Sequence, residues 1–309
     1  MLYSVLKHNI NIEFISEEIS SFFLIDMIRV ALQAKGRLNE DSLEIFEEAG
    51  IRIEQSKRQL LSHAKNFPLE ILYLRDDDIP GAVARGVADI GIVGENEIAE
   101  KGHKVNIVHK LGFGRCRISL ALPKEEEYND VSYFEGKRVA TSYPNILQAY
   151  FKEKGVSAEI EEIAGSVEIA PRVNIADAIF DIVSSGGTLV ANGLKEVEKV
   201  FNSEAVLIAN PNLEESKIKL LNQLIFRFEA IERSRGLKYI VLNIENDKID
   251  KVAALIPGLK SPTIVPLVEE GWSAVHAVIP EEKFWDIIEK IKDYGAKDIL
   301  LLSTEKIIP

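Results

Sequence analysis

The sequence predicts an α/β fold with a ferredoxin-like module at its carboxyl end, and three observations carry that reading. The chain has 309 residues, 46% hydrophobic and 28% charged, enough for more than one buried core. From Met27 onward, short β-type runs alternate with amphipathic stretches, the pattern of parallel strands joined by helices. Beyond Gly236 the order becomes βαββαβ.

Taken in order, Ile28 to Leu32 reads as the first strand. Asn39, Glu40, Asp41 and Ser42 offer caps for a helix whose Leu43, Phe46 and Ala49 share an apolar face before Gly50 stops it. Ile71 to Leu74 is the next strand. Asp76, Asp77 and Asp78 then form an acidic cap for a short helix with Pro80 in its first turn and Gly86 at its end, followed by a buried strand over Ala88 to Val93. Ile118 to Leu122 and Arg138 to Thr141 are further strands, and a helix runs from about Glu214 to Arg233. The tail reads as strand (Tyr239–Ile244), helix (Lys248–Leu255), strand (Thr263–Val268), strand (Ala274–Ile279), helix (Glu281–Tyr294) and strand (Lys297–Ser303). A module of this kind after a catalytic region is a small-ligand or dimerisation domain.

Composition excludes several classes. Lys and Arg number 37 against 49 Asp and Glu, a formal charge of −12, which repels nucleic acid and anionic membrane. An anionic substrate must therefore meet a local basic pocket or a metal ion. The lone Cys116 excludes an intrachain disulfide and points to a reducing, cytoplasmic setting. The apolar run around Phe22 to Ile28 is broken by Asp26 and is too short to span a bilayer, which takes roughly 20 apolar residues. Residues 1–26 read as an extension outside the fold, with Met27 an alternative start. His8, His63, His103, His109 and His276 show no HxH or HExxH spacing, so no protein-held metal site is expected. Neither a GxSxG elbow nor a GxxxxGK[ST] loop occurs.

The stretch richest in chemistry is residues 165–189. Asp177 and Asp181, four apart, share a face whether the backbone is strand or helix, and they lead into Ser184, Ser185, Gly186, Gly187 and Thr188. In such a loop backbone N–H groups can converge on a phosphate and the hydroxyls add donors, while the acids suit ribose hydroxyls or magnesium; a plain turn has the same composition. Lys35 and Arg37 follow the first strand, where open α/β sheets bind ligands, and suit either a pyrophosphate or a solvated turn. Asp76–Asp78 suits magnesium, a ribose, or simply a helix start. Arg115 and Arg117, among glycines, suit an anion contact or a hinge. Tyr143, after a strand, suits stacking on a base or ordinary packing.

The ordered set AKGRL, LRDDDIPGAVARGVADIGIVGEN, LGFGRCRISLA, RVATSYPN, GSVEIAPRVNIADAIFDIVSSGGTLVANGL and GLKSPTIVPL resembles the ATP phosphoribosyltransferases, in their long form, over essentially Met27 to Pro309. The resemblance implies two α/β lobes of periplasmic-binding-protein type, the first 27–115 with 192–233 and the second 116–191, with crossings near Gly112–Arg117 and Val190–Gly193. A regulatory domain over 236–309 would follow. It implies a pentosyltransferase that joins N1 of ATP to C1 of 5-phosphoribosyl 1-pyrophosphate with Mg²⁺ present, the first step of histidine biosynthesis. By the same resemblance, Ser184–Thr188 would hold the 5′-phosphate, Asp177 and Asp181 would lie near the ribose, and Glu168 would contact ribose hydroxyls or hold the loop. Lys35 and Arg37 would face the pyrophosphate, and Tyr143 with Asp76, Asp77 and Asp78 would line the ATP side. L-Histidine would bind near Leu259, Ser261 and Thr263 as an inhibitor, and the chain would form homodimers and hexamers. Two alternatives stand beside this: a two-lobed solute-binding protein, and a phosphoribosyltransferase acting on a nucleobase.

Overall fold

The computed structural model describes residues 27–54, 60–256, 258–259 and 261–308, so the expected extension over 1–26 lies outside the described residues. The chain divides into two compact units between Asn222 and Gln223.

The first unit holds two sheets. In the first lobe β1 (Ile28–Gln33), β3 (Leu69–Leu74) and β4 (Ile90–Gly94) are parallel, and β2 (Leu61–His63) pairs antiparallel with β3. With β5 (Asn106–Lys110) and β11 (Ala205–Ala209) the order is β2-β3-β1-β4-β11-β5. The central strands read almost continuously apolar because both faces are covered: Ile28, Val30, Leu32, Ile90, Ile92 and Val93 are fully buried. Helix α1 (Arg37–Glu48) begins earlier than the cap residues suggested. Gly36, at φ 102°, turns the chain directly into the helix, and its carbonyl accepts the N–H groups of Asn39 and Glu40. That early start sets Arg37 on the helix's first turn. Helix α2 (Ile79–Ala84) packs so tightly on β4 that a Cβ at Gly91 would stand 2.8 Å from Ile79 Cγ2. Helix α3 (Glu95–Lys101) follows β4 without a loop.

The second lobe contains β6 (Cys116–Pro123), β7 (Arg138–Thr141), α4 (Pro144–Lys154), β8 (Glu159–Glu162), β9 (Ala178–Val183), the short α5 (Gly187–Ala191) and β10 (Leu194–Ser203). Its sheet runs β10-β6-β9-β7-β8, with β8, β7 and β9 parallel and β6 antiparallel to both of its neighbours. One face packs Ile118, Leu120, Phe134, Val139 and Phe180; the other packs Ala121, Ala140, Ile179, Val183 and Leu189.

The chain enters this lobe between β5 and β6, as expected, but does not leave at Val190–Gly193. Strand β10 pairs with β6 along its whole length, so the return crossing is Glu204, between Ser203 and Ala205. The second lobe therefore reaches 203, and residues 192–203 belong to it. The two crossings are hydrogen-bonded to each other, Leu111 N to Ala205 O at 3.0 Å and Ala205 N to Phe113 O at 2.9 Å.

Helix α6 (Glu215–Glu232) carries the chain across the unit boundary, eleven residues before the expected Arg233 end of the first lobe's share. The second unit has β12 (Leu237–Glu245), α7 (Ile249–Leu255), β13 (Thr263–Pro266), β14 (Trp272–Pro280), α8 (Glu281–Asp293) and β15 (Lys297–Ser303). The sheet order β13-β14-β12-β15, antiparallel throughout, is the ferredoxin-like arrangement. Ile240, Leu242, Ile244, Val275 and Ile279 form its core with Val252 and Ile291 from the helices. Strand β13 stops at Pro266 rather than Val268, because Leu267 already donates to Trp272 O in the turn.

Candidate active site

A cleft of about 340 Å³ lies between the two lobes of the first unit. It is walled by Gln33, Arg37, Asp76, Asn96 and Glu97 from the first lobe, by Ile182 and Ser184 from the second, and by Gly114, Arg115 and Cys116 at the crossing. Gln33, Gly94 and Ser184 stand at or just past the carboxyl ends of β1, β4 and β9, the edge at which α/β sheets bind ligands.

On the second-lobe side, Ser184, Ser185, Gly187 and Thr188 are exposed. Gly186, at φ 81°, turns the loop into α5, and Ser185 Oγ accepts the Gly187 N–H at 3.4 Å. Beneath the loop Asp181 is largely withdrawn from water. Burial pushes its carboxyl up to about 6, with the charge of Glu168 adding and the hydrogen bond from the Ile182 N–H opposing. Arg117 braces the loop from β6: Nη1 donates to Ser184 O at 3.0 Å, while Nε and Nη2 grip Glu196 at 2.5 Å each. Ser119 Oγ also donates to Glu196, at 2.8 Å. Arg117 is thus a structural fork between β10 and the loop; of these two arginines it is Arg115, 76% exposed, that lines the cleft, with Arg37 from the first lobe.

Asp177 does not join this group. It stands at the amino end of β9, six residues before Val183 and so roughly 20 Å from the loop along a strand that rises about 3.3 Å per residue. Its carboxylate accepts the Arg138 N–H at 2.9 Å and pairs with Arg138 Nη2 at 3.1 Å. Those bonds hold its proton affinity below the usual carboxylate range. Through these bonds Asp177 ties the starts of β7 and β9.

The acidic triplet is likewise divided. Asp76 faces the cleft and accepts Gln33 Nε2 at 3.3 Å. Asp77 is paired with Arg75 at 3.1 Å and Lys101 at 3.7 Å, and Asp78 is exposed at the start of α2. Lys35 is exposed in the β1–α1 turn, outside the cleft lining that includes Arg37. Tyr143 offers no ring to a base: it is 8% exposed and packed in the second lobe's core. Its O–H donates to Glu97 Oε1 at 3.2 Å. Glu97, with Asn96, is what the sequence reading missed. Asn96 closes the motif that ends in GEN and Glu97 is the next residue, but nothing local marks a helix-start glutamate as buried. Burial pushes its carboxyl up to about 7, with Asp76 adding to the rise and Tyr143 and Lys101 opposing it.

In the second unit Leu259 (61% exposed) and Ser261 lie in the link before β13, and Thr263 opens that edge strand opposite His276. Pro257 and Lys260 are outside the described residues.

The sequence pattern of the family described as "ATP phosphoribosyltransferase" matches residues 75–230, and that of the HisG C-terminal domain matches residues 234–306. The chain belongs to the ATP phosphoribosyltransferases. Two relatives of that name, from Parabacteroides distasonis and Bacteroides fragilis, are 55% and 52% identical over 282 residues, 91% of this chain and the whole of each relative. A solved Thermotoga maritima ATP phosphoribosyltransferase, determined as a HisG:HisZ complex, is similar with a TM-score of 0.57 and 29% identity over 66% of this chain and 99% of its own. This pentosyltransferase thus joins ATP to 5-phosphoribosyl 1-pyrophosphate in histidine biosynthesis. The solute-binding and nucleobase alternatives give way to it. Displacement at an anomeric carbon needs alignment and leaving-group stabilisation more than a protein nucleophile, which agrees with a cleft of donors and carboxylates.

Proposed function

We propose that the cleft divides its substrates between the lobes. Ser184–Thr188 takes the 5′-phosphate of phosphoribosyl pyrophosphate through backbone N–H groups and hydroxyls, Asp181 and Glu168 lie at the ribose, and Arg37 with Lys35 meets the pyrophosphate. Asp76 lines the ATP side. The observation that carries this is that Ser184, the first residue of the neutral donor loop at the end of β9, lines the same 340 Å³ cleft as Arg37.

Magnesium fits this donor set. Among the described residues no cluster of three His, Cys, Asp or Glu side chains could cage a metal, and this ion is commonly held by one or two carboxylates plus substrate phosphates. Asp76 and Asp181 are the carboxylates that would share it, and when bound it would neutralise charge on the departing pyrophosphate. Arg37 orients the same group, and Asp181, an acceptor when ionised, suits a ribose hydroxyl.

The reading extends to L-histidine as an inhibitor near Leu259, Ser261 and Thr263, to homodimers and hexamers, and to a cytoplasmic enzyme. A lone half-buried Cys116, and no membrane-length apolar helix among the described residues, are compatible with the last. The test is to incubate the protein with ATP, phosphoribosyl pyrophosphate and Mg²⁺, with and without a chelator, and identify the product by mass. A phosphoribosyl-ATP mass that disappears with the chelator is expected; millimolar histidine should suppress it without raising KM for phosphoribosyl pyrophosphate, and Ser261→Ala should weaken that suppression. An unchanged rate with chelator removes the metal from the reading, and insensitivity to histidine removes the regulatory site.

A further inference from the structure

Helix α3 carries Glu97 and Glu100, three apart and so on one face. They are 6% and 5% exposed, and a carboxylate taken that far out of water needs partners. The partners come from the other lobe. Glu100 Oε1 accepts the Asn145 N–H and Oε2 the Ile146 N–H, each at 3.0 Å, while Asn145 Nδ2 donates back to Glu100 O at 3.0 Å. These are the first free amides of α4, since Pro144 has none and Tyr143 at the N-cap makes no side-chain cap bond. A first-lobe carboxylate therefore caps a second-lobe helix.

Glu97 repeats the arrangement one turn earlier, taking the Tyr143 O–H at 3.2 Å and Asn96 Nδ2 at 2.9 Å. Asn96 in turn exchanges two bonds with Ser203, the last residue before the return crossing: its N–H donates to Ser203 Oγ at 3.2 Å, and that hydroxyl donates to Asn96 Oδ1 at 2.8 Å. Phosphoribosyl transfer needs the reacting atoms roughly 3–3.5 Å apart. With one substrate on each lobe, that separation depends on how the lobes are held.

We infer that α3 is an interlobe clasp, in which Glu97 and Glu100 fix the Tyr143–Ile146 segment against the first lobe and so set the width of the cleft. Both are positioning residues. The kinetic consequence rests on the proposed division of substrates between lobes; the mechanical one rests on the hydrogen bonds alone.

The test measures both in the full chain. Spin labels are placed at Lys65→Cys in the first lobe and Glu153→Cys in the second, on side chains 58% and 75% exposed, in a Cys116→Ser background diluted with unlabelled protein. Pulsed electron–electron resonance should give one narrow distance in the parent and a broadened or second, longer distance in Glu97→Gln/Glu100→Gln. KM for both substrates should rise about tenfold, the equivalent of losing one charge-assisted hydrogen bond. Should that pair not fold, Tyr143→Phe, which removes only the hydroxyl, is read in the same way. An unchanged distance distribution in a folded variant overturns the clasp, whatever the activity. A changed distribution in a protein whose parent forms no phosphoribosyl-ATP leaves the clasp standing and overturns the substrate reading instead.

Discussion

The two ends of β9 carry the same residue type and oppose each other in every physical respect. At the amino end Asp177 is tied to Arg138 by two bonds and held ionised; at the carboxyl end Asp181 is buried beside Glu168 and its proton affinity rises to about 6. One end ties the sheet together; the other runs into the loop whose first residue, Ser184, lines the cleft. A parallel arrangement enforces this division, because the β7 and β9 carboxyl ends point the same way and leave their loops together, while the amino ends only need joining.

Breaking the comparison at its functional end gives the largest expected effect. Asp181→Ala should lower kcat/KM for phosphoribosyl pyrophosphate by about 100-fold, roughly 2.7 kcal/mol, with the fold intact at neutral pH. Steady-state kinetics with each substrate varied in turn decides it; an effect below threefold would take Asp181 out of the site. Next in size, Thr188→Ala should raise KM for phosphoribosyl pyrophosphate about tenfold and leave KM for ATP unchanged, since one donor to a charged phosphate is worth about 1.5–3 kcal/mol. Equal rises for both substrates would mean that the loop acts through shape alone.

At the structural end the effect is smaller and has a characteristic sign. Asp177→Asn should cost about 1 kcal/mol of stability for a partly exposed pair, with kcat unchanged. Because the folded state depresses the Asp177 pKa, its contribution is present above the ordinary aspartate pKa and is lost as pH falls through the depressed value. Asp181 runs the other way: its raised pKa makes the folded state bind the extra proton, so its ionisation subtracts stability as pH rises from about 4 to about 6. Thermal melts should therefore show Asp177→Asn losing ground to the parent only as pH rises toward about 4 and staying level with it in slope above that, and Asp181→Asn gaining on the parent between about pH 4 and about pH 6. Parallel slopes would refute the contrast.

The order of strands and helices was legible because period-2 and period-3.6 patterns are local. The ferredoxin-like tail came out in full, and its shortened β13 differs only where a turn begins at Leu267. Strand β10 was not read, since its residues LKEVEKVFNS alternate imperfectly and the pairing with β6 slips between Glu196 and Glu198 and again between Lys199 and Phe201. Missing it displaced the return crossing by about a dozen residues. In the site, the loop Ser184–Thr188 could be read from composition, whereas the role of Asp177 could not. Spacing of four assigns a common face but says nothing of which end of the strand meets the ligand. Tyr143, Glu97 and Glu100 depend on a contact between lobes, and nothing in their sequence neighbourhoods encodes the partner.

Strand β11 lies between β4 and β5, and its Val206, Leu207 and Ile208 are fully buried, yet it follows the entire second lobe in the chain. A chain leaving the ribosome therefore holds every strand of the second lobe by residue 203, while β5 still waits for the neighbour that ties it to its own sheet. Domains usually complete in order of synthesis. Here the lobe begun first is the lobe finished last.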